Sequence, residues 1–125
     1  MFENDYIMRL ITEMVRALLR LLFHTDIDSL AIEIVKDNEV KSTVTDLLDL
    51  LDDGQINEAE NKLSDILDAD NQETLKAALL FYSHLNEKSN DFLESHNYSR
   101  EEIKMGLTDT AEFFGVGSIA DVFIN

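Results

Sequence analysis

The chain of 125 residues has no cysteine, no proline and no tryptophan, and it has only four glycines. The lack of cysteine excludes disulfides, thiolate catalysis and zinc-thiolate sites, and it fits a reducing compartment. Without proline, no backbone amide donor is lost inside a helix, so turns must be made by glycine, asparagine, aspartate and serine. These absences favour long helices, and we expect a cytoplasmic protein.

Basic residues are also scarce, with 10 lysines and arginines against 26 acidic residues and a formal net charge of -16. A nucleic-acid partner needs a basic surface for its phosphates, which this composition does not supply. Apolar residues make up 45% of the chain, too many for a disordered protein. A chain of this length buries roughly two thirds of its unfolded surface, so we predict one domain spanning residues 1–125.

No hydrophobic run is long enough to cross a membrane. The N-terminal sequence MFENDYIMRLITEMVRALLRLLF is the most apolar segment, but six charged residues interrupt it: Glu3, Asp5, Arg9, Glu13, Arg16 and Arg20. A membrane-spanning helix requires about 20 predominantly apolar residues. We therefore expect neither a signal peptide nor a membrane span.

Apolar residues recur at helical spacing in every long segment, whereas alternation of apolar and polar residues never persists. We predict an all-α fold of about five to seven helices arranged as antiparallel helical hairpins. The first helix is expected to begin after Asn4 or Asp5, which are both good capping residues, and to end near Phe23.

The first helix, within residues 1–24, carries a wide apolar face. Its central seam supplies our candidate interaction residues, which are Ile7, Ile11, Met14, Leu18 and Leu22. Further apolar residues flank the seam at Leu10, Val15, Leu19 and Leu21. The apolar arc spans roughly 220°, more than docking on one neighbour requires. We expect this helix to be covered from two sides.

The middle of the chain gives a mixed signal. Residues 26–41 suit a short strand or a short helix about equally, and we expect a helix. Within residues 42–95 the pattern becomes clearly helical from Ser42 and predicts a helical hairpin followed by a long helix. The long helix is expected to be capped by Asn71 and to run to roughly Glu94.

The last segment, residues 99–125, is predicted to hold C-terminal helices. Ser99 and Glu102 have the spacing of a capping box, in which each satisfies a backbone amide of the other. Gly115 is expected to end the helix that follows. A short helical turn is predicted over residues 118–123.

Residues 49–60, DLLDDGQINEAE, match two different structures. Acidic residues, a glycine and a final glutamate fall at several ligand positions of a calcium loop. The second ligand position is Leu51, however, which has no ligand atom and completes the apolar face of the preceding helix. We therefore predict a helical hairpin in which Gly54 ends one helix in a left-handed cap and Asn57 caps the next.

The second half of this hairpin resembles a tetratricopeptide repeat. In that repeat a glycine, an acidic residue, an alanine and two apolar residues recur, here as Gly54, Glu58, Ala59, Leu63 and Leu67. The pattern does not return about 34 residues later, as an array would require. The resemblance implies a related hairpin and no repeat array.

A broader resemblance rests on three segments that occur in order, FENDYIMR, GQINEAENKL and LNEKSNDFLESHNYSREEI. Together they resemble a family of small acidic helical proteins from Gram-positive bacteria that is catalogued as a domain of unknown function. The resemblance covers nearly the whole chain. It implies a helical fold, and it implies neither an activity nor functional residues.

The chain carries no catalytic motif. No two of His24, His84 and His96 form a closely spaced ligand pair, although His96 could share a site with Glu94. Aspartates cluster within residues 46–53 and 65–70, where solvated faces are expected in so acidic a chain. The sequence has no nucleophile elbow and no glycine-rich phosphate loop. We predict no enzyme, no cofactor and no metal site.

The first helix is the feature most relevant to function. Residues 1–24 hold three acidic and three basic residues, so the whole charge of -16 lies in residues 25–125. The helix could lie at the centre of the core or be shared between two subunits. It could also lie on a membrane surface, with its arginines at the anionic headgroups and its leucines inserted. We expect an interaction or scaffold protein that self-associates through this helix. The alternatives are an enzyme that uses the acidic clusters and a peripheral membrane protein.

Overall fold

The computed structural model describes residues 2–119, with side chains from residue 4 onward. Every regular element in this range is helical, which confirms the predicted all-α class. Residues 117–119 are helical as well. The other elements, in chain order, are α1 (Phe2–Phe23), the single-turn 3₁₀ helices η1 (Ile27–Ser29) and η2 (Ile32–Ile34), α2 (Asn38–Asp52), α3 (Ile56–Ile66), α4 (Gln72–Asn86), α5 (Asn90–Ser95) and α6 (Arg100–Phe113).

Helix α4 is the centre of the fold, because α1, α2, α3 and α6 all pack against it. Ten of its 15 residues are buried, including the ring of Phe81. The main core lies between α4 and the helices α1, α2, α3 and α6, and a smaller cluster lies where α4 meets η2 and the first half of α2. A helix covered on so many sides must be apolar around most of its circumference, as α4 is.

The predicted end of α1 at Phe23 is confirmed, but its predicted start is wrong. The helix begins at Phe2, so Asn4 and Asp5 lie inside it and cap nothing. An acidic residue this close to the helix start still interacts favourably with the positive end of the helix dipole. After Phe23 the chain leaves the helix at His24, which adopts a left-handed φ of 53°.

The corner between α2 and α3 forms around Gly54. Helix α2 continues through Leu51, which is fully buried, as the hairpin interpretation requires. Gly54 has a φ of 83°, its amide donates to the Leu51 carbonyl at 3.0 Å, and the Gln55 amide donates to the Leu50 carbonyl at 2.9 Å. This pair of bonds is the left-handed glycine cap that was predicted. The His96 ring fills the space where a Cβ on Gly54 would lie.

The prediction that Asn57 caps α3 is wrong. The helix begins at Ile56, and Gln55 precedes it without a side-chain capping bond. Ile56 is only 3% exposed, and because its side chain is buried the helix starts one residue earlier than predicted, closer to Gly54. Glu58 then lies in the first turn, where its charge suits the helix dipole.

The prediction of a helix over residues 26–41 is also wrong for most of that segment. Residues 26–37 form η1 and η2 joined by extended backbone, with Ala31 at a φ of -152°. Helix α2 then begins at Asn38, before the predicted start at Ser42, because the Asp37 side chain accepts from the amides of Glu39 and Val40.

Two side chains of α4 hold this irregular segment in place. The Glu73 carboxylate accepts hydrogen bonds from the backbone amides of Lys36 and Asp37, the latter at 2.9 Å. Lys76 forms an ion pair with Glu73 at 2.8 Å and donates to the Ile34 carbonyl at 3.0 Å. Because these polar groups satisfy the backbone of residues 34–37, the segment needs no helical hydrogen bonds there.

The long helix predicted from Asn71 to roughly Glu94 is two helices. Asn71 caps α4 as predicted, by accepting from the Glu73 amide, but α4 ends at Asn86. Ser89 then caps α5 by accepting from the Phe92 amide. The break has a structural cause, because the backbone carbonyls around it bind a side chain from α6.

That side chain is Arg100, which is 4% exposed. Its guanidinium donates to the Asn86 carbonyl at 2.7 Å, to the Lys88 carbonyl at 2.6 Å and to the Asn90 side chain at 3.2 Å. The Asn86 side chain in turn donates to the Met8 carbonyl of α1 at 3.1 Å. Burial lowers the pKa of Arg100, and the charge of Asp5 opposes that effect. One buried network therefore joins α1, α4, α5 and α6.

The C-terminal predictions are confirmed as far as the structure describes them. Ser99 and Glu102 form the capping box at the start of α6. Gly115 follows the helix with a φ of 77°, and the Val116 amide donates to the Ala111 carbonyl at 2.8 Å. Of the turn predicted over residues 118–123, residues 120–123 lie outside the described range.

Replacing Arg100 by methionine should lower the free energy of unfolding by about 3 kcal/mol, because buried carbonyl groups at the end of α4 lose their donors. Urea unfolding followed by circular dichroism measures the change. Lys104→Met is the matched control, since it removes a positive charge from an ion pair with Glu101 on the same helix. The Lys104→Met control should lower the free energy of unfolding by less than about 1 kcal/mol. Equal losses in both variants would contradict the role given to Arg100.

Replacing Glu73 by glutamine should reduce stability in a pH-dependent way. Burial opposes ionisation of Glu73, but hydrogen bonds from Lys76, Asp37 and Lys36 outweigh it and hold the pKa below its ordinary value. A lowered folded-state pKa stabilises the fold above the unfolded-state pKa, and this stabilisation is lost as the pH falls through the folded-state pKa.

We therefore expect Glu73→Gln to cost about 1–2 kcal/mol near neutral pH and progressively less as the pH falls through the folded-state pKa of Glu73, as measured by urea unfolding at a series of pH values. The control is Glu101→Gln, which removes an exposed carboxylate from a similar lysine pair. Its effect should stay below about 0.5 kcal/mol throughout. A cost for Glu73→Gln that does not change with pH would show that its charge is unimportant.

Candidate functional site

The predicted seam of α1 lies inside the core of the chain itself. Ile11, Met14 and Leu18 are fully buried, Ile7 is 9% exposed and Leu22 is half-buried. Helices α4 and α6 pack against α1 and cover these side chains. A second copy cannot contact them unless α1 leaves its own core. Interaction through these five residues would therefore require an exchange of α1 between two chains.

The outer side of α1 carries a second apolar row, which we call the outer stripe: Tyr6, Leu10, Ala17 and Leu21. Tyr6 is 60% exposed and Leu21 is 62% exposed, whereas Leu10 and Ala17 are half-buried. Their spacing of four, seven and four residues places them on one face of the helix. Leu10 and Leu21 were predicted to flank the seam. Tyr6 was missed, and its position four residues before Leu10 is the signal that identifies it.

Charged side chains of both signs border the outer stripe. Arg16 donates to Glu13 at 2.9 Å, and both side chains remain exposed to solvent. Together with Tyr6, Arg9, Leu10 and Thr12, this pair lines a shallow depression of about 580 Å³. An apolar floor with both charge signs at its edge suits the surface of another protein better than a small polar substrate.

A second depression, of about 520 Å³, lies between α1, α2, α4 and residues 27–32. Its wall includes Ser83 and His84. The His84 Nε2 atom is 2.8 Å from Asp52, whose pKa is lowered by hydrogen bonds from Lys88 and His84. A hydrolytic site would require a nucleophile bonded to the histidine. Within the described residues, Ser83 forms no hydrogen bond with His84.

The predicted acidic clusters lie at the surface. All seven aspartates are exposed, namely Asp46, Asp49, Asp52, Asp53, Asp65, Asp68 and Asp70. Asp52 binds His84 and Lys88, and Asp68 accepts from the Asp70 amide at 2.9 Å. Nowhere in residues 2–119 does a group of three or more histidines or acidic residues have the arrangement of a metal site.

The histidines lie in separate environments. His24 is exposed at the end of α1, and His84 binds Asp52 on α2. The ring of His96 stacks on Phe92 at 4.4 Å between centroids. The His96 Nδ1 atom lies 2.7 Å from the backbone carbonyl oxygen of Phe92. The described histidines thus take part in surface contacts and in hydrogen bonds within and between helices.

Across the described part of the chain, no helix combines the length and apolar character needed to cross a membrane. The sequence matches no curated protein and no solved structure. A sequence model of the family described as "Family of unknown function (DUF6483)" matches residues 1–115. This match spans most of the chain, in agreement with the resemblance to a helical family without an assigned activity. The chain belongs to this family of unknown function.

Proposed function

We propose that the chain is a protein–protein interaction module that self-associates through the outer stripe of α1. The observation that carries this proposal is that Tyr6 and Leu21 are exposed on the same face of a helix whose seam is already covered. Exposed apolar rows bordered by polar residues are typical of interaction sites. The half-buried Leu10 and Ala17 connect the two exposed side chains along the face.

Charge favours a second copy of the chain as the partner. Residues 25–125 carry the whole formal charge of -16, so two such bodies repel one another. Residues 1–24 are neutral by formal charge. Two copies that meet through α1 therefore bring together the surfaces with the least repulsion.

The spacing of the outer stripe also suits a symmetric pair. In a two-fold interface each residue has the same environment in both copies. An antiparallel pair with its axis at the middle of the stripe places Tyr6 of each copy beside Leu21 of the other, and Leu10 beside Ala17. At about 1.5 Å per residue, the 22 residues of α1 provide a contact about 33 Å long.

The lack of cysteine suits a reducing compartment such as the cytoplasm. A membrane surface is the other partner for an apolar helix with exposed arginines. The acidic body opposes that alternative, because anionic lipid would repel it.

The proposal predicts a dimer of two 14.3 kDa chains. Light scattering after size exclusion at about 50 μM and physiological salt should give this doubled mass. The double variant Tyr6→Ser and Leu21→Ser should raise the dissociation constant at least about tenfold, because it removes the two most exposed apolar side chains of the stripe.

The control is the double variant Met105→Ser and Phe113→Ser, which removes two large exposed side chains from α6. It should leave the dimer intact, and circular dichroism checks that both variants fold. A wild-type monomer at about 100 μM would overturn the proposal. A dimer that persists in the α1 variant would overturn the outer stripe as the interface and favour exchange of α1. Sedimentation with anionic vesicles tests the membrane alternative.

A further inference from the structure

Glu60 is unusual among the carboxylates that the structure describes. Three of them are half-buried, namely Asp37, Glu60 and Glu73. Asp37 accepts from two backbone amides, and Glu73 binds Lys76 as well as two amides. Glu60 accepts one hydrogen bond, from the Tyr82 hydroxyl at 2.9 Å, and no described lysine or arginine forms an ion pair with it. A half-buried carboxylate ordinarily has a cation or several donors.

A second polar group lies beside Glu60. The Tyr98 hydroxyl is buried next to the Glu60 carboxylate and interacts with it, but the contact lacks the geometry of a full hydrogen bond, and Tyr98 is only 7% exposed. Burial, together with the charge of Glu60, raises the pKa of Tyr82 and of Tyr98, so both phenols stay protonated. A buried polar group without a full hydrogen bond calls for an explanation, since it costs free energy. The cluster around Glu60 is therefore short of polar partners.

Glu60 and Tyr82 face a groove of about 430 Å³ between α3 and α6. Asp109 of α6 supplies a second carboxylate, and the remaining lining is mixed, with Leu63, Leu67 and Phe113 as its apolar side chains and Ser64 and Thr110 as its hydroxyl groups. The Tyr82 ring lies directly against Gly106, where a Cβ would be 2.5 Å from the phenol oxygen. Gly106 thus allows α6 to pass close over Tyr82. The groove has the volume of a small-molecule site.

We propose that this groove binds a small aliphatic amine, with its ammonium group at Glu60 and Asp109 and its alkyl chain against Leu63, Leu67 and Phe113. An ammonium group has three donors and no acceptor, which matches a site rich in acceptors and without a protein cation. Phe113 is 51% exposed at the edge of the groove and offers an aromatic face to a cation. The two carboxylates give the charge, and the apolar walls give the preference for an alkyl chain.

The test is isothermal titration of the full chain with 1,5-diaminopentane at about 150 mM NaCl, a salt concentration that screens weak binding to the acidic surface. We expect saturable binding of one amine per chain with a dissociation constant near 1 mM or lower, about the strength of a few contacts. The uncharged analogue 1,5-pentanediol should not bind. The amide of Gly106 should shift in nuclear magnetic resonance spectra.

Glu60→Gln should weaken amine binding at least about tenfold, because it removes the central charge while leaving an acceptor for Tyr82. Asp109→Asn should weaken it by a smaller factor, and because Asp109 is exposed, this substitution should leave the fold intact. Glu33→Gln is the matched control, with the same loss of charge on η2, and it should change the constant less than about twofold.

The proposal fails if the wild type shows no saturable binding, or if pentanediol binds as well as the amine. It also fails if Glu33→Gln weakens binding as much as Glu60→Gln, since the amine would then report only the net charge. If Glu60→Gln does not fold, Asp109→Asn and the resonance shifts of the wild type decide the question. Shifts confined to residues outside the groove would overturn the site.

Discussion

The buried guanidinium of Arg100 is the interaction on which the arrangement of the other helices depends. Among the described residues it forms no ion pair with a carboxylate and instead binds carbonyl oxygens at the end of α4, where the negative end of the helix dipole favours a cation. By occupying those carbonyls it ends α4 at Asn86, and α5 begins separately at Asn90. Asn86 extends the same network to Met8, so the inward face of α1 is set by a contact made from α6.

That orientation decides which side of α1 is available to a partner. The seam faces α4 and α6, whereas the outer stripe flanks the seam about 90° further round the same helix and leaves Tyr6 and Leu21 exposed to solvent. The sequence shows a wide apolar arc and correctly implies cover from more than one direction. The sequence does not show where the buried part of the α1 surface ends and the exposed part begins. The exposure of Tyr6 and Leu21 follows from the positions of α4 and α6, which depend on contacts far apart in the chain.

The features that the sequence predicts well are those whose causes lie within a few residues. The capping box of Ser99 and Glu102, the glycine cap at Gly54 and the passage of α2 through Leu51 are local in this sense. The errors come from distant partners. Glu73 binds the amides of Lys36 and Asp37, and no periodicity in residues 26–41 reports that contact. The break after Asn86 likewise depends on Arg100, 14 residues further on.

The scarcity of basic residues links the interior of the molecule to its surface. Lys76 and Arg100 are used to hold backbone segments, and Lys88 binds Asp52 beneath the ring of Phe92. With 26 acidic residues and 10 basic ones, a base used inside is not available to neutralise a carboxylate elsewhere. Among the described residues, Glu60 is half-buried and forms no ion pair with a lysine or arginine. The two proposed partners match this distribution of charge: an amine would supply positive charge at Glu60, and a second copy would approach along α1, where residues 1–24 are neutral by formal charge.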